Sequence, residues 1–551
     1  MRLTGCPARE PSVSWSVARR MVDVELVGDE PPRGEPDPVT EWLRRVAATG
    51  ARAAQRVGAV VGPRAARAWR RPTVRWVALG LAAAVVVVPV ADASRERTRL
   101  AALAQVPGLL APLHPGLRVL YTLPGSDYGG TALQDGFLVG RTVVDALSLF
   151  GENSTLVALD AATGARRWST TLGDRDAWGD AIPRCAAAGG VVACEVTGGP
   201  GRASGPTVTT TWAVDPADGR LLRGVTYGDH VLAATVGDLM VVAQQVAGPD
   251  RAPASGAWSV TWRVTGQDPA TGATRWTWTG PAVRVAAEDE PTDPFHDPTD
   301  YGADLYPVAG PLRATDTALR VGDDTWLFGA GGTVRVHLHR AGGWALTETR
   351  GGSVVRQPLD LGAVRARPPW ELLLDDGTWR PLAGTPLPAV VDDGSVPDAV
   401  LLTSTSGTGT TLTAVDRHTG ATLWQAPIGP PVVGPRFTLS GVVLDGRVYT
   451  GLQDLRAFDA ATGRPLWTVA GAGGWLSTDG TLAVVLTTSA QGFPLGVRTY
   501  ALADGRARWT ADVRALLATQ GKDVNLSTIT FGLPVRHIGA VRADGLVAVL
   551  G

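Results

Sequence analysis

Side chains able to do chemistry are thinly spread along the 551 residues. His337 and His339 stand two apart among alternating apolar residues, so both imidazoles fall on one strand face, a spacing used by zinc sites. No third ligand adjoins them in sequence, and an exposed polar strand is the competing reading. The densest acidic run is Glu288-Asp289-Glu290, then Asp293, Asp297, Asp300 and Asp304, set among prolines and Phe295, Tyr301 and Tyr306. Its spacing is not that of an Asp-x-Asp-x-Asp-Gly calcium loop, and it reads as a solvated insertion whose aromatics offer a partner a contact surface. No G-x-S-x-G elbow, S-x-x-K pair, phosphate-binding loop or C-x-x-C-H haem site is present. His114, His230, His296, His418 and His537 are scattered. No catalytic residue and no metal ligand is assigned.

Of the three cysteines, Cys185 and Cys194 flank an apolar stretch centred on Gly189-Gly190. A two-residue turn there pairs Ala188 with Val191 and, counting outward, Cys185 with Cys194, in a register compatible with a cross-strand disulfide. Two buried free thiols are the alternative. Leu3-Thr4-Gly5-Cys6 has the form of a lipoprotein cleavage box but lacks an apolar segment before it, so lipidation is not expected.

The elements that must position any site repeat. Asp160, Gly164 and Trp168 are spaced four apart, and variants return as Asp215 and Gly219, then Asp268, Gly272 and Trp276. Asp416, Gly420 and Trp424 follow, then Asp459, Gly463 and Trp467, and a weaker copy with Gly505 and Trp509. An alternating apolar strand runs into an Asp whose carboxylate can bond nearby amides, Gly supplies a positive φ, and the chain returns as a second strand. The large Trp on that strand is stabilising only if a neighbouring repeat covers it, with the small residue two before Asp making room.

Units of this kind, recurring every 42 to 55 residues, fit the blades of a β-propeller. The motif resembles the repeat of the PQQ-like (quinoprotein-type) β-propeller family, whose A-x-D-x-x-T-G-x-x-x-W pattern is matched in full from Ala158 to Trp168, Ala414 to Trp424 and Ala457 to Trp467. Arg223 replaces Trp in the second copy, Gly266 replaces Ala in the third, and Ala501 and Thr499 replace Asp and Ala in the sixth. Those blades are expected to pack less tightly or to use another aromatic. Two degenerate blades are expected in the 148 residues between Asp268 and Asp416, near His337 to Leu346 and Leu372 to Leu382, where Asp376-Gly377 signals a turn. The reading is an all-β propeller over 116–551 with eight four-stranded blades, or seven, closed by pairing of Leu546 to Leu550 with Leu117 to Leu123.

Upstream, residues 1–36 carry Pro, Gly and acids without apolar period and read as a disordered arm, with Met21 an alternative start to Met1. Residues 37–73 form an Arg-rich juxtamembrane helical segment in which Glu41 is the only early acid. Residues 74–91 are apolar except for Arg75 and, as a helix, are about 27 Å long, close to the thickness of a bilayer core. The Arg excess on the N-terminal flank places that flank in the cytoplasm and the propeller outside, after a linker at 92–115. A cleaved signal peptide, with Ala91-Asp92-Ala93 as a poor cleavage box, would need an n-region of about 75 residues, far beyond the usual length. The Arg-rich segment reads as lying on the anionic inner leaflet, with a cytoplasmic partner as the alternative. A formal net charge of −1 gives no global attraction to nucleic acid.

The resemblance leaves function open, because the repeat builds both quinone-dependent dehydrogenases and non-catalytic scaffolds. The enzymes hold calcium and quinone on the axis with Glu, Asn and Asp, often beside a disulfide between adjacent cysteines. This chain has no adjacent cysteines, and its only asparagines are Asn153 and Asn525. The expectation is a membrane-anchored extracytoplasmic binding or scaffold domain for a protein or envelope ligand, without cofactor. The alternatives are a quinone- and calcium-dependent oxidoreductase and a transmembrane sensor.

Overall fold

The computed structural model describes most residues from 98 to 551; the principal stretches outside it are 1–97, 124–135, 148–153, 174–180, 199–207, 250–256, 287–302, 308–315, 359–368, 432–439 and 519–525. The expected arm, Arg-rich segment, membrane span and Cys6 therefore lie outside the described residues, as do His296, Asn153, Asn525 and the acidic run up to Asp300. Among the described residues no helix is long and apolar enough to cross a membrane.

The chain folds into nine sheets taken in order around a β-propeller. The first contains Phe137–Val139, Thr142–Leu147, Ser154–Asp160 and Arg166–Gly173, paired antiparallel from the inner strand outward. The next seven occupy 184–227, 231–286, 303–339, 344–381, 385–429, 441–469 and 476–512. The seventh gains a fifth strand, Ala389–Asp392, which leaves the sixth and pairs parallel with Gly441–Leu444. The ninth joins Leu526–Thr530, Ile538–Arg542 and Val547–Leu550 to an outer strand from the other end of the domain, Val119–Leu123.

Alternation along each strand sends apolar side chains to both sheet faces, and the core is accordingly divided among the seams. Each of nine apolar clusters draws on two successive sheets. Leu412 and Trp424 of the sixth, for example, meet Val443, Val448 and Phe458 of the seventh. The cluster of Val143, Val157 and Leu159 with Val547 and Val549 joins the first sheet to the ninth and completes the ring.

The expected closure is observed, with Val119 opposite Leu550 and Leu123 opposite Val547. The blade count of eight, or seven, is corrected to nine. The recurring motif marks the hairpin between the third and fourth strands of a blade, and in the ninth blade those strands come from opposite chain ends. No turn joins them, so no motif exists to be counted. The two degenerate blades are present between Asp268 and Asp416. The fifth turns at Asp376-Gly377 as anticipated, whereas the stretch His337 to Leu346 spans the junction of the fourth and fifth, and the fourth turns earlier, at 329–333.

Part of the segment read as a linker is packed on the propeller. Leu103, Leu109, Leu110 and Leu113 are buried in the seams flanking the eighth blade. Leu110 N–H donates to Thr478 O (2.8 Å), Leu113 N–H to the Asp479 carboxylate (3.0 Å), and Arg536 Nε to Leu109 O (3.0 Å). Arg99 pairs with Asp445 and donates to Gly480 O. These attachments run along the face that carries the motif turns.

Candidate functional site

In the motif turns the carboxylates are engaged locally. Asp160 Oδ1 accepts from Ala162 N–H (3.0 Å), Thr163 N–H (3.1 Å) and the Thr163 hydroxyl (3.1 Å), while Gly164, at φ 69°, donates its N–H to Asp160 O (2.8 Å). The same bond runs from Gly219 to Asp215, Gly272 to Asp268, Gly420 to Asp416, and Gly463 to Asp459. In the sixth copy Gly505 N–H still reaches Ala501 O (2.8 Å), so the turn survives loss of its carboxylate. The Arg167 guanidinium, followed by turn amides and the Thr163 hydroxyl, holds the Asp160 carboxyl below the usual range; Thr271, Thr419 and Thr462 are the leading donors for Asp268, Asp416 and Asp459. These acids are fixed as ionised turn caps.

The tryptophans bind blade to blade. Trp168, Trp424 and Trp467 lie against Gly219, Gly463 and Gly505 of the following blade, and their indoles donate to Pro216 O (3.0 Å), Ala460 O (2.8 Å) and Leu502 O (3.2 Å). Each acceptor is the residue directly after the motif Asp position. Trp276 covers Gly332, in the short turn of the fourth blade where Gly332 N–H bonds Gly329 O, and its indole N–H is buried without an acceptor. Trp509 packs in the seam between the eighth and ninth blades, where no motif glycine follows. In the second and fifth blades, where Trp is missing, the cover is arginine: Arg223 lies over Gly272, and Arg380 over Gly420. A planar guanidinium on an apolar stem can lie flat on a glycine much as an indole does, a substitution that the expectation of another aromatic did not foresee.

The disulfide joins Cys185 and Cys194 across the Gly189-Gly190 hairpin, in the anticipated register. Beside it Glu195 is buried at 9% exposure, accepting from the Thr235 hydroxyl of the third blade (2.7 Å). Burial pushes its carboxyl up to about 7 against that hydrogen bond and the charge of Arg184. Neither Glu195 nor Thr235 carries a sequence signal, since their meeting depends on how two blades abut.

The histidines are dispersed. His418 contacts Asp375 (2.5 Å) and, more distantly, Asp398 (3.6 Å). His337 and His339 meet Asp324, the neighbour that the sequence did not reveal. A cleft of about 540 Å³ opens on the motif face between Asp238, Asp268, Arg275, Trp276 and Gly331. Arg275 there pairs with Asp268 (3.1 Å), and Asp238 accepts from Gly189 N–H (3.2 Å). It holds no nucleophile beside a base.

The two asparagines of the chain, the residue type that the resemblance places on calcium beside Glu and Asp, lie outside the described residues. No group of three His, Cys, Asp or Glu side chains among those described is arranged to hold a metal, and the disulfide joins cysteines nine residues apart.

A family model described as outer membrane protein assembly factor BamB matches residues 263–545, just over half of the chain. No curated protein matches the chain in sequence. Solved structures similar to it include BamB from Moraxella catarrhalis, 15% identical, covering 74% of this chain and 99% of its own, with a TM-score of 0.31. A quinohemoprotein alcohol dehydrogenase from Pseudomonas putida HK5 is 16% identical, covers 79% of this chain and 76% of its own, and has a TM-score of 0.33. The family match and the repeat geometry agree, and the chain belongs to the PQQ-like β-propeller family.

Proposed function

We propose that the protein is a single-pass, extracytoplasmic propeller that holds a protein or cell-envelope ligand and performs no chemistry on it. The observation that carries this reading is the engagement of the repeat's own reactive groups: motif carboxylates cap their turns, and indoles bridge the blades. The family description, an assembly factor, points the same way. The apolar stretch at 74–91 with its Arg-rich flank supports an anchor, and the disulfide suits an oxidising compartment. Trp475 and Phe493, exposed at 59% and 62%, supply contact surface on the face opposite the motif turns.

The test uses full-length protein extracted from membranes. Its melting is followed during titration with quinone and calcium, and a photo-crosslinker at position 475 is activated in intact membranes. Unchanged melting together with capture of one reproducible partner is the expected result. Saturable stabilisation by quinone would instead establish the oxidoreductase reading.

A further inference from the structure

The outer hairpin of the fourth blade, Asp324–Phe328 with Val334–His339, gathers side chains that the sequence separates. Asp324 pairs with His339 and Trp326 with His337, which places all four on one face. Asp324 Oδ1 lies 2.6 Å from His337 Nε2 and 3.3 Å from His339 Nδ1, so one carboxylate oxygen serves two imidazoles. The His337 ring stacks parallel on Trp326, with centroids 4.8 Å apart, and Trp326 is buried in the seam with the third blade. A rigid platform thereby sets the plane of one imidazole. The histidine side chains are 47% and 71% exposed and that of Asp324 is 16% exposed, which leaves an open outer side.

We propose that this His-x-His and Asp cluster is a binding site for a divalent transition-metal ion of the imidazole-preferring class, with zinc as the reference member. As they stand, the three groups satisfy one another through hydrogen bonds and are not arranged around an ion. Uptake replaces those hydrogen bonds with metal bonds: each neutral imidazole ligates through a nitrogen lone pair while its one ring proton sits on the other nitrogen, and the carboxylate offsets part of the ion's charge. Two nitrogens and one oxygen suit zinc, nickel or copper(II), whereas calcium and magnesium demand mostly oxygen. Three protein ligands leave the remaining positions to water or to a donor from a partner, the arrangement of an open site.

The test is calorimetric titration of metal-free, full-length protein with zinc, alongside visible absorption of the cobalt-loaded form. The expected result is one zinc ion per chain at this hairpin, with affinity weakened at least about tenfold in each of H337Q, H339Q and D324N, and loss of the cobalt bands. H339Q changes a side chain largely in solvent, so it reports on ligation even if H337Q disturbs the Trp326 stack. H418Q, at the other exposed histidine with carboxylate neighbours, is expected to leave binding unchanged. Absence of zinc binding, or binding that survives both H337Q and H339Q, overturns the proposal.

Discussion

Trp424 of the sixth blade rests on Gly463 of the seventh so closely that a Cβ added to Gly463 would fall 2.5 Å from Trp424 Cε3. The indole N–H bonds Ala460 O at 2.8 Å, and Gly463 sits at φ 69°. One side chain therefore reads both the shape and the backbone of the next repeat. Trp424→Ala is expected to cost about 3 to 5 kcal/mol through the lost inter-blade packing. Gly463→Ala is expected to destabilise as well, by clash and by backbone strain. Both are checked by chemical denaturation, read as a shift in midpoint. A Trp424→Ala midpoint equal to wild type would show that this contact does not hold the seam.

This contact also explains what could be read in advance. The Asp, Gly and Trp spacing is local, so each copy announces its own hairpin, and Trp168, Trp424 and Trp467 announce a neighbour. The fourth blade was harder to place because its turn is Gly329-Ala330-Gly331-Gly332, without a carboxylate. The ninth left no motif, because its last two strands are joined by pairing rather than by a turn. Asp324 precedes His337 by 13 residues, and only the hairpin register brings them together. Glu195 and Thr235 lie 40 residues apart on different blades, a pairing to which no spacing rule applies.

The closing blade repeats the motif contact with a different residue. A Cβ on Gly164 would fall 2.5 Å from the Tyr121 ring, and the Tyr121 hydroxyl donates to Ala161 O at 3.1 Å, the carbonyl equivalent to Ala460 O. Tyr121→Phe keeps the ring and is expected to lose about 0.5 to 1.5 kcal/mol. Tyr121→Ala removes the cover as well and is expected to open the seam between the ninth and first blades. Hydrogen exchange at strand Val119–Leu123 measures this: faster exchange there in Tyr121→Ala, with the sixth and seventh blades unaffected, is the expected pattern.

Glu195 makes stability depend on pH. Its carboxyl is raised from 4.5 to about 7 in the folded protein, so folding favours the protonated form. The stability that this proton contributes is present below about pH 4.5, declines as pH rises toward 7, and is lost above it. A displacement of this size corresponds to something on the order of 3 kcal/mol. Glu195→Gln keeps an acceptor for Thr235 without the charge, and is expected to raise melting temperature at pH 8 while changing little at pH 4.5. Melting curves across that range decide the matter; identical pH profiles for the two proteins would rule out a raised Glu195.

Trp475 and Phe493 separate binding from folding. Trp475 immediately precedes the inner strand Leu476–Thr478 of the eighth blade, and Phe493 precedes the third strand, Pro494–Ala501. Their backbones are held, Leu486 N–H donating to Trp475 O (3.0 Å) and Ser489 N–H to Phe493 O (2.8 Å), while their side chains remain mostly in solvent. Rings exposed on a held backbone lose little by truncation in the isolated protein, yet aromatic anchors dominate the energetics of interfaces. The double variant Trp475→Ala, Phe493→Ala is therefore expected to change the denaturation midpoint by less than about 1 kcal/mol and to abolish capture of that partner by chemical cross-linking in intact membranes. Undiminished capture would move the binding surface elsewhere, and the cleft beside Arg275 on the motif face would be next to test. A large loss of stability would mean instead that these rings serve the fold.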